Sequence, residues 1–243
     1  MILARRIQLP ARLVVVVRLV LGALCLVSQS AGAPARGAQT NVTSQNDTMP
    51  ATNEPKDPEL EESMRNYREG CDLVSPYFIL NDSRRPYVTN ATDRSKIMRG
   101  IALLEGVVLR YPGHWAAWWV IGKAYHSIEE HQGAFNAFDR AVAIRPDHPD
   151  VAREYVASAL HLGKCGEAVR VSDDICKRHP ENAGLRANHA YSLLICGQQD
   201  EALKQCKLAL TLDPADSMTK HLLGRIEDII AGRKPRPTKM DEY

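Results

Sequence analysis

His126, Glu129, Glu130 and His131 form the tightest group of metal-competent side chains in the chain. Imidazoles and carboxylates are donors that zinc accepts. The spacing opposes a metal, because histidines five apart do not share a helical face and the group falls where one apolar helical stripe ends and the next begins. A solvated turn is expected there, with no metal and no cofactor. The chain has no Gly-rich phosphate loop, no G-x-S-x-G elbow and no paired-histidine zinc motif. Catalytic chemistry is therefore not expected, and the elements that would position these residues matter more than the residues themselves.

Those elements must come from 243 residues, enough for one compact domain with tails or two small ones. Hydrophobic residues make up 44% and charged residues 25%, ordinary globular usage that excludes wholesale disorder and a polytopic membrane protein. The formal charge of +2 owes much to the first 38 residues, which hold five arginines and no acid. Without Arg5, Arg6, Arg12 and Arg18 the chain has 27 bases against 29 acids, about −2. That balance argues against nucleic acid as a partner.

The N-terminus reads as an address. Arginines through Arg18, an apolar stretch over Leu19–Val27 and small residues up to Ala35 follow the order of a secretory signal, assigned to residues 1–35. Arg18 interrupts the apolar run, which counts against a spanning helix. Uncleaved, the leader would hold the chain at a membrane; cleaved, it would deliver it to a periplasm, an ER lumen or the outside. Residues 36–56 are rich in Thr, Asn, Ser and Pro and are read as a disordered linker. Sequons begin at Asn41, Asn46, Asn81 and Asn90; they mark glycan sites in a eukaryote and a plain polar spacer in a bacterium.

The rest is periodic. Pro112, Pro146, Pro180 and Pro214 stand 34 residues apart. Ala134, Ala168 and Ala202 keep the same interval, as do Gly163 and Gly197. In the first full period Trp118, Ile121, Gly122 and Tyr125 precede Ala134, Phe138, Ala141 and Pro146. The second keeps Ala168 and Pro180 but puts Ala152, Val156 and Ala159 where Trp, Gly and Tyr would be expected; the third restores Ala190, Ala202, Ala209 and Pro214. Small residues let two helices approach, Phe138 and Tyr125 fill the space between units, and each proline stops a helix.

This pattern resembles the tetratricopeptide repeat (TPR) family, whose 34-residue unit is a helix–turn–helix pair. The resemblance implies an all-α fold, a right-handed superhelical solenoid, with repeats over residues 115–148, 149–182 and 183–216. Residues 217–231 then read as a capping helix and residues 232–243 as a disordered tail. Upstream, residues 57–114 read as a degenerate repeat opened by a loop insertion. Its first helix carries the stripe Leu60, Met64, Tyr67, Cys71, Val74 and Phe78, with Asp57 as N-cap and Ser75-Pro76 ending or kinking it. Its second helix carries Ile97, Ile101, Leu104, Val107 and Val108.

In proteins similar to this one, first helices line a concave groove. Carried over position by position, the groove residues are Trp119, Lys123 and His126, then Arg153 and His161, then Tyr191, and finally His221 and Arg225. This aromatic and basic set would suit an extended peptide with carboxylates and apolar side chains. The carboxylate clamp of some co-chaperones is not matched, since Trp119, Lys123, Glu154 and Gly184 occupy its positions. Outside the leader stand Cys71, Cys165, Cys176, Cys196 and Cys206. A disulfide between Cys176 and Cys206, on adjacent second helices, is one reading; small buried hydrophobes are the other.

The function expected is a non-enzymatic scaffold or adaptor in an exported or envelope-associated complex, its partner another protein or peptide. The alternative is a self-assembling solenoid in which open repeat ends or an exposed Trp115/Trp119 pair join copies.

Overall fold

A computed structural model describes residues 57–78 and 87–240. The leader, the linker and the sequons at Asn41, Asn46 and Asn81 lie outside the described residues. Among the described residues there are nine α-helices and no strand. In order they are α1 (Pro58–Val74), α2 (Ala91–Arg110), α3 (Trp115–Ser127), α4 (His131–Ile144), α5 (Pro149–His161), α6 (Cys165–Arg178), α7 (Ala183–Ile195), α8 (Gln199–Leu212) and α9 (Ser217–Ile230), with a short 3₁₀ turn at Ser75–Tyr77. None of these helices is long and apolar enough to cross a membrane.

Three recurring devices set the helix boundaries. Tyr111, Arg145, His179 and Asp213 each precede a period proline and each has ψ between 65° and 89°. This is the departure from the helical region that proline imposes on its predecessor. First helices start from His114, His148, Asn182 and Asp216, again 34 apart; of these, His114, Asn182 and Asp216 accept a hydrogen bond from a first-turn backbone N–H. Between paired helices the chain turns through a positive φ at Glu129 (64°), Gly163 (69°) and Gly197 (82°). The glycines at the period thus supply a left-handed conformation, and Glu129 adopts it without that freedom.

The helices pack in sequence around three apolar clusters. Ile97, Ile101 and Leu104 of α2 pack with Val120 and Ile121 of α3 in the first. Phe138 of α4, Tyr155 of α5 and Ile175 of α6 share the second, and Leu193, Leu194, Cys206 and Ile226 the third. Gly122 sits against Phe138 so closely that a Cβ there would lie 2.5 Å from the ring. Ala134, Ala141, Ala168, Ala190 and Ala202 are fully buried and Ala209 nearly so, while Pro146, Pro180 and Pro214 are exposed. In the second period Tyr155, 2% exposed, fills the space beside the small residues, its ring 5.1 Å from that of Phe135.

The first helix pair shows a close approach absent from the repeat pattern. A Cβ on Gly100 of α2 would fall 2.5 Å from Val74 Cγ1 and 3.0 Å from the Gly70 carbonyl of α1. Asp57 caps α1 through Glu59 N (3.0 Å) and Asn90 caps α2 through Asp93 N (2.8 Å). Of the α1 stripe, Val74 is buried, Tyr67 and Cys71 pack against the first cluster, and Met64 is 38% exposed. Phe78 lies beyond the 3₁₀ turn, already past the helix.

The cysteine pairing differs from the expected one. Cys165, at the start of α6, is bonded to Cys196, the residue after α7, with Cα atoms 5.5 Å apart. Cys176 and Cys206 are buried free thiols in different cores; Cys176 belongs to the second cluster and Cys206 to the third, where its Sγ donates to the Thr219 carbonyl. Burial pushes both thiols up to about 11, and Cys71 likewise, which keeps them from exchange chemistry.

Candidate peptide-binding groove

The first-helix face begins on α3. Trp119 and Lys123 lie one turn apart, and the Lys123 Nζ sits 5.2 Å from the ring centroids of both Trp119 and Phe78. Glu154 of α5 is 3.4 Å from the same ammonium. With 6% of its surface exposed, Lys123 is a buried cation held by a carboxylate and two rings, not an open ligand position. Arg153 approaches the same Glu154 carboxylate at 3.8 Å and pairs with Asp150 at 3.1 Å. The basic character read along the sequence is therefore offset by Glu154 and Asp150, and the charge argument for an acidic peptide loses two of its strongest members.

Trp119 packs between the first two apolar clusters, and its indole Nε1 is shielded from solvent with no hydrogen-bond partner. Trp118 points elsewhere, donating to the Pro112 carbonyl at 3.0 Å. Trp115 lies against the His148 ring at 4.8 Å with the Arg145 guanidinium 5.2 Å from its centroid. The Trp115/Trp119 pair is thus not an exposed apolar patch. Tyr125 donates to Glu105 at 3.0 Å, and burial first, then that carboxylate, pushes its phenol up to about 12.

The histidines come together in a way the sequence did not show. His131 and His161 have centroids 4.8 Å apart and nearly parallel planes, and His126 stands 5.8 Å from His161 and 6.2 Å from His131. Tyr87 closes the group at 5.9 Å from both His126 and His131. Instead of a solvated turn, this end of α3, α4 and α5 is a partly buried ring cluster. Its carboxylates turn away: Glu129 is exposed, and Glu130 pairs with Arg94 at 3.3 Å. Burial holds the His126 imidazole below the usual range, with Glu154 opposing and the neighbouring histidines and Lys123 assisting. Among the described residues no group of three or more His, Cys, Asp and Glu side chains could hold a metal ion.

At the other end, the C-terminal segment is seated against α7 and the second apolar cluster. The sequence of residues 232–243 reads as a solvated tail, but residues 232–240 have defined positions. Arg233 and Lys234 fasten its start to Asp228 at 2.8 and 3.0 Å. Arg236 donates to the carbonyl of Ile195, Pro237 is buried, and Tyr191 donates its hydroxyl to the Met240 carbonyl at 3.0 Å. The Met240 side chain packs against the second cluster. His221 is exposed and Arg225 half-buried on α9.

There is a physical reason for Arg236 to bind where it does. The last carbonyls of a helix lack partners and carry the negative end of its dipole. The last turn of α7 has no basic residue. Arg236 supplies it from the tail. The same lack recurs at the ends of α1, α4, α8 and α9, so no sequence signal singles out this docking.

Fold and face together define a helical repeat solenoid of the tetratricopeptide type. A tetratricopeptide repeat family model matches residues 89–149. Among solved structures, the chain is similar to a MamA protein with 11% identity and a TM-score of 0.57, over 71% of this chain and 85% of that one. It is also similar to MamA from Desulfovibrio magneticus RS-1, residues 41 to the end, with 14% identity and a TM-score of 0.52, over 69% and 86%. The MamA of AMB-1 gives 18% identity and a TM-score of 0.51, over 71% and 91%. At these identities the likeness is one of fold. No curated protein matches the sequence.

Proposed function

We propose that this protein is a non-catalytic interaction module whose first-helix face holds an extended segment of a partner protein. The observation that carries the reading is the seating of residues 236–240, where a tyrosine hydroxyl meets a main-chain carbonyl and a proline and a methionine are buried or packed. Main-chain and apolar contacts of this kind suit a peptide better than a small molecule. With Lys123 and Arg153 offset by Glu154 and Asp150, recognition rests on shape and apolar side chains more than on net charge.

We place the module in an oxidising compartment, reached through the residue 1–35 leader. The Cys165–Cys196 bond supports this placement, because disulfides persist where thiol-reducing systems are absent.

The face is tested by Arg153→Ala combined with His221→Ala, both outside the apolar clusters. Partner capture from source cells, quantified after crosslinking, should fall roughly tenfold, because both side chains are lost as contact surface rather than as charge, with the thermal midpoint unchanged. Undiminished capture would remove the groove from the account.

A further inference from the structure

The seated tail identifies more than a location. Its contacts fall at fixed steps: the guanidinium of Arg236 on the Ile195 carbonyl, the buried ring of Pro237, and the backbone and side chain of Met240 on Tyr191 and the second cluster. Each answers a feature of the α5–α7 region. The open end of α7 takes a cation, Tyr191 offers a donor to a main-chain acceptor, and the second cluster, which includes Tyr155 and Ile195, receives an apolar chain. Thr238 and Lys239 between them are exposed.

We propose that this face is a peptide site for segments of the form Arg-Pro-x-x-apolar, and that the chain's own residues 236–240 are its resident intramolecular ligand. The inference rests on the groove reading above and deepens it. A partner carrying the same pattern competes with the tail, so the free protein is closed and the tail sets the threshold for capture. The fastening of Arg233 and Lys234 to Asp228 keeps the segment at the mouth of its site and gives it a high effective concentration. Gly197, the turn residue with φ 82°, lies beside the Arg236 guanidinium, so the turn that the Cys165–Cys196 bond holds is part of the same site.

The test uses a fluorescein-labelled synthetic peptide of residues 233–243, the full-length chain and a chain ending at Gly232. The shortened chain should bind the peptide, and the full-length chain should bind it roughly tenfold more weakly, as expected if the tail fills the site about nine times in ten. Arg236→Ala with Met240→Ala in the full-length chain should restore binding without shortening, which guards against a truncation that fails to fold. Tyr191→Phe in the shortened chain should weaken binding, and a peptide with Arg236 and Met240 replaced by alanine should not bind.

Equal binding to the full-length and shortened chains would overturn the proposal, as would no binding to a shortened chain that melts normally. So would a full-length dimer that becomes monomeric on shortening, because the occupant would then come from a second copy. If the peptide fails while Arg153→Ala/His221→Ala still lowers partner capture roughly tenfold, the resident-ligand inference falls and the groove reading stands. If capture ignores those substitutions, the groove reading falls by itself.

Discussion

Replacing Phe138 with alanine should lower the unfolding free energy by about 3–5 kcal/mol, the range for emptying a buried aromatic site. Phe138 is 1% exposed, and its ring lies directly over Gly122 of α3, where the backbone comes so close that a Cβ would not fit. A glycine cannot move a side chain into the space the ring leaves, so the cavity persists and the cost falls at the upper end. At roughly 2–4 °C per kcal/mol for a chain of this size, the thermal midpoint should drop by about 6–20 °C. Urea denaturation followed by circular dichroism measures it. A change under about 1 kcal/mol would mean that α3 and α4 do not depend on this contact. The groove should suffer with it, since Trp119 and Lys123 stand on the same helix as Gly122.

The second large effect is expected at the disulfide. Cys165 and Cys196 are separated by 31 residues, and closing a loop of that length restricts the unfolded chain by about 3–4 kcal/mol in the chain-entropy account. Replacing both with serine should lower stability by that amount. Because Ile195, whose carbonyl receives Arg236, adjoins Cys196, the double variant should also loosen the tail. Alkylation of the natural protein under denaturing, non-reducing conditions, followed by intact mass, gives the chemical check. Cys71, Cys176 and Cys206 should take the label, and Cys165 and Cys196 should take it only after reduction. Labelling of all five without reduction would remove both the staple and the main support for an oxidising compartment.

What the sequence makes legible is the part governed by local rules. A proline two residues past α2, α4, α6 and α8, a cap residue before α3, α7 and α9, and a glycine at two of the inter-helix turns each act within a few residues, so they repeat visibly at 34. Phe138 over Gly122 also follows from register, because the repeat fixes which residues of a helix pair face each other.

Long-range pairings left no such trace. The repeat suggests pairing cysteines on equivalent second helices, yet the bonded pair joins the start of one second helix to the end of the next first helix, where successive inter-helix turns come together. Lys123 looked like a ligand because the repeat resemblance assigns its position to a binding face; that Glu154 and Phe78 cover it depends on a neighbouring helix and on a segment outside the repeat. The tail misled for a compositional reason. Its prolines and charges cannot make a core, but they need none where the α7 carbonyls, Tyr191 and an existing apolar cluster are already in place. The Gly70–Gly100 crossing lies in the same class, since neither glycine marks itself until α1 and α2 are docked.

The central claim, that the first-helix face receives an extended segment of another protein, is tested most directly by a photo-crosslinking amino acid placed at position 221 on α9 and, separately, at position 207 on α8. His221 is exposed on α9, where the proposed face would run, and Lys207 is exposed on α8. In source cells, crosslinks from position 221 should map to one short segment of a single foreign protein, and position 207 should give none to that segment. Equal crosslinking from both positions, or crosslinks from 221 only to other copies of this chain, would contradict the account.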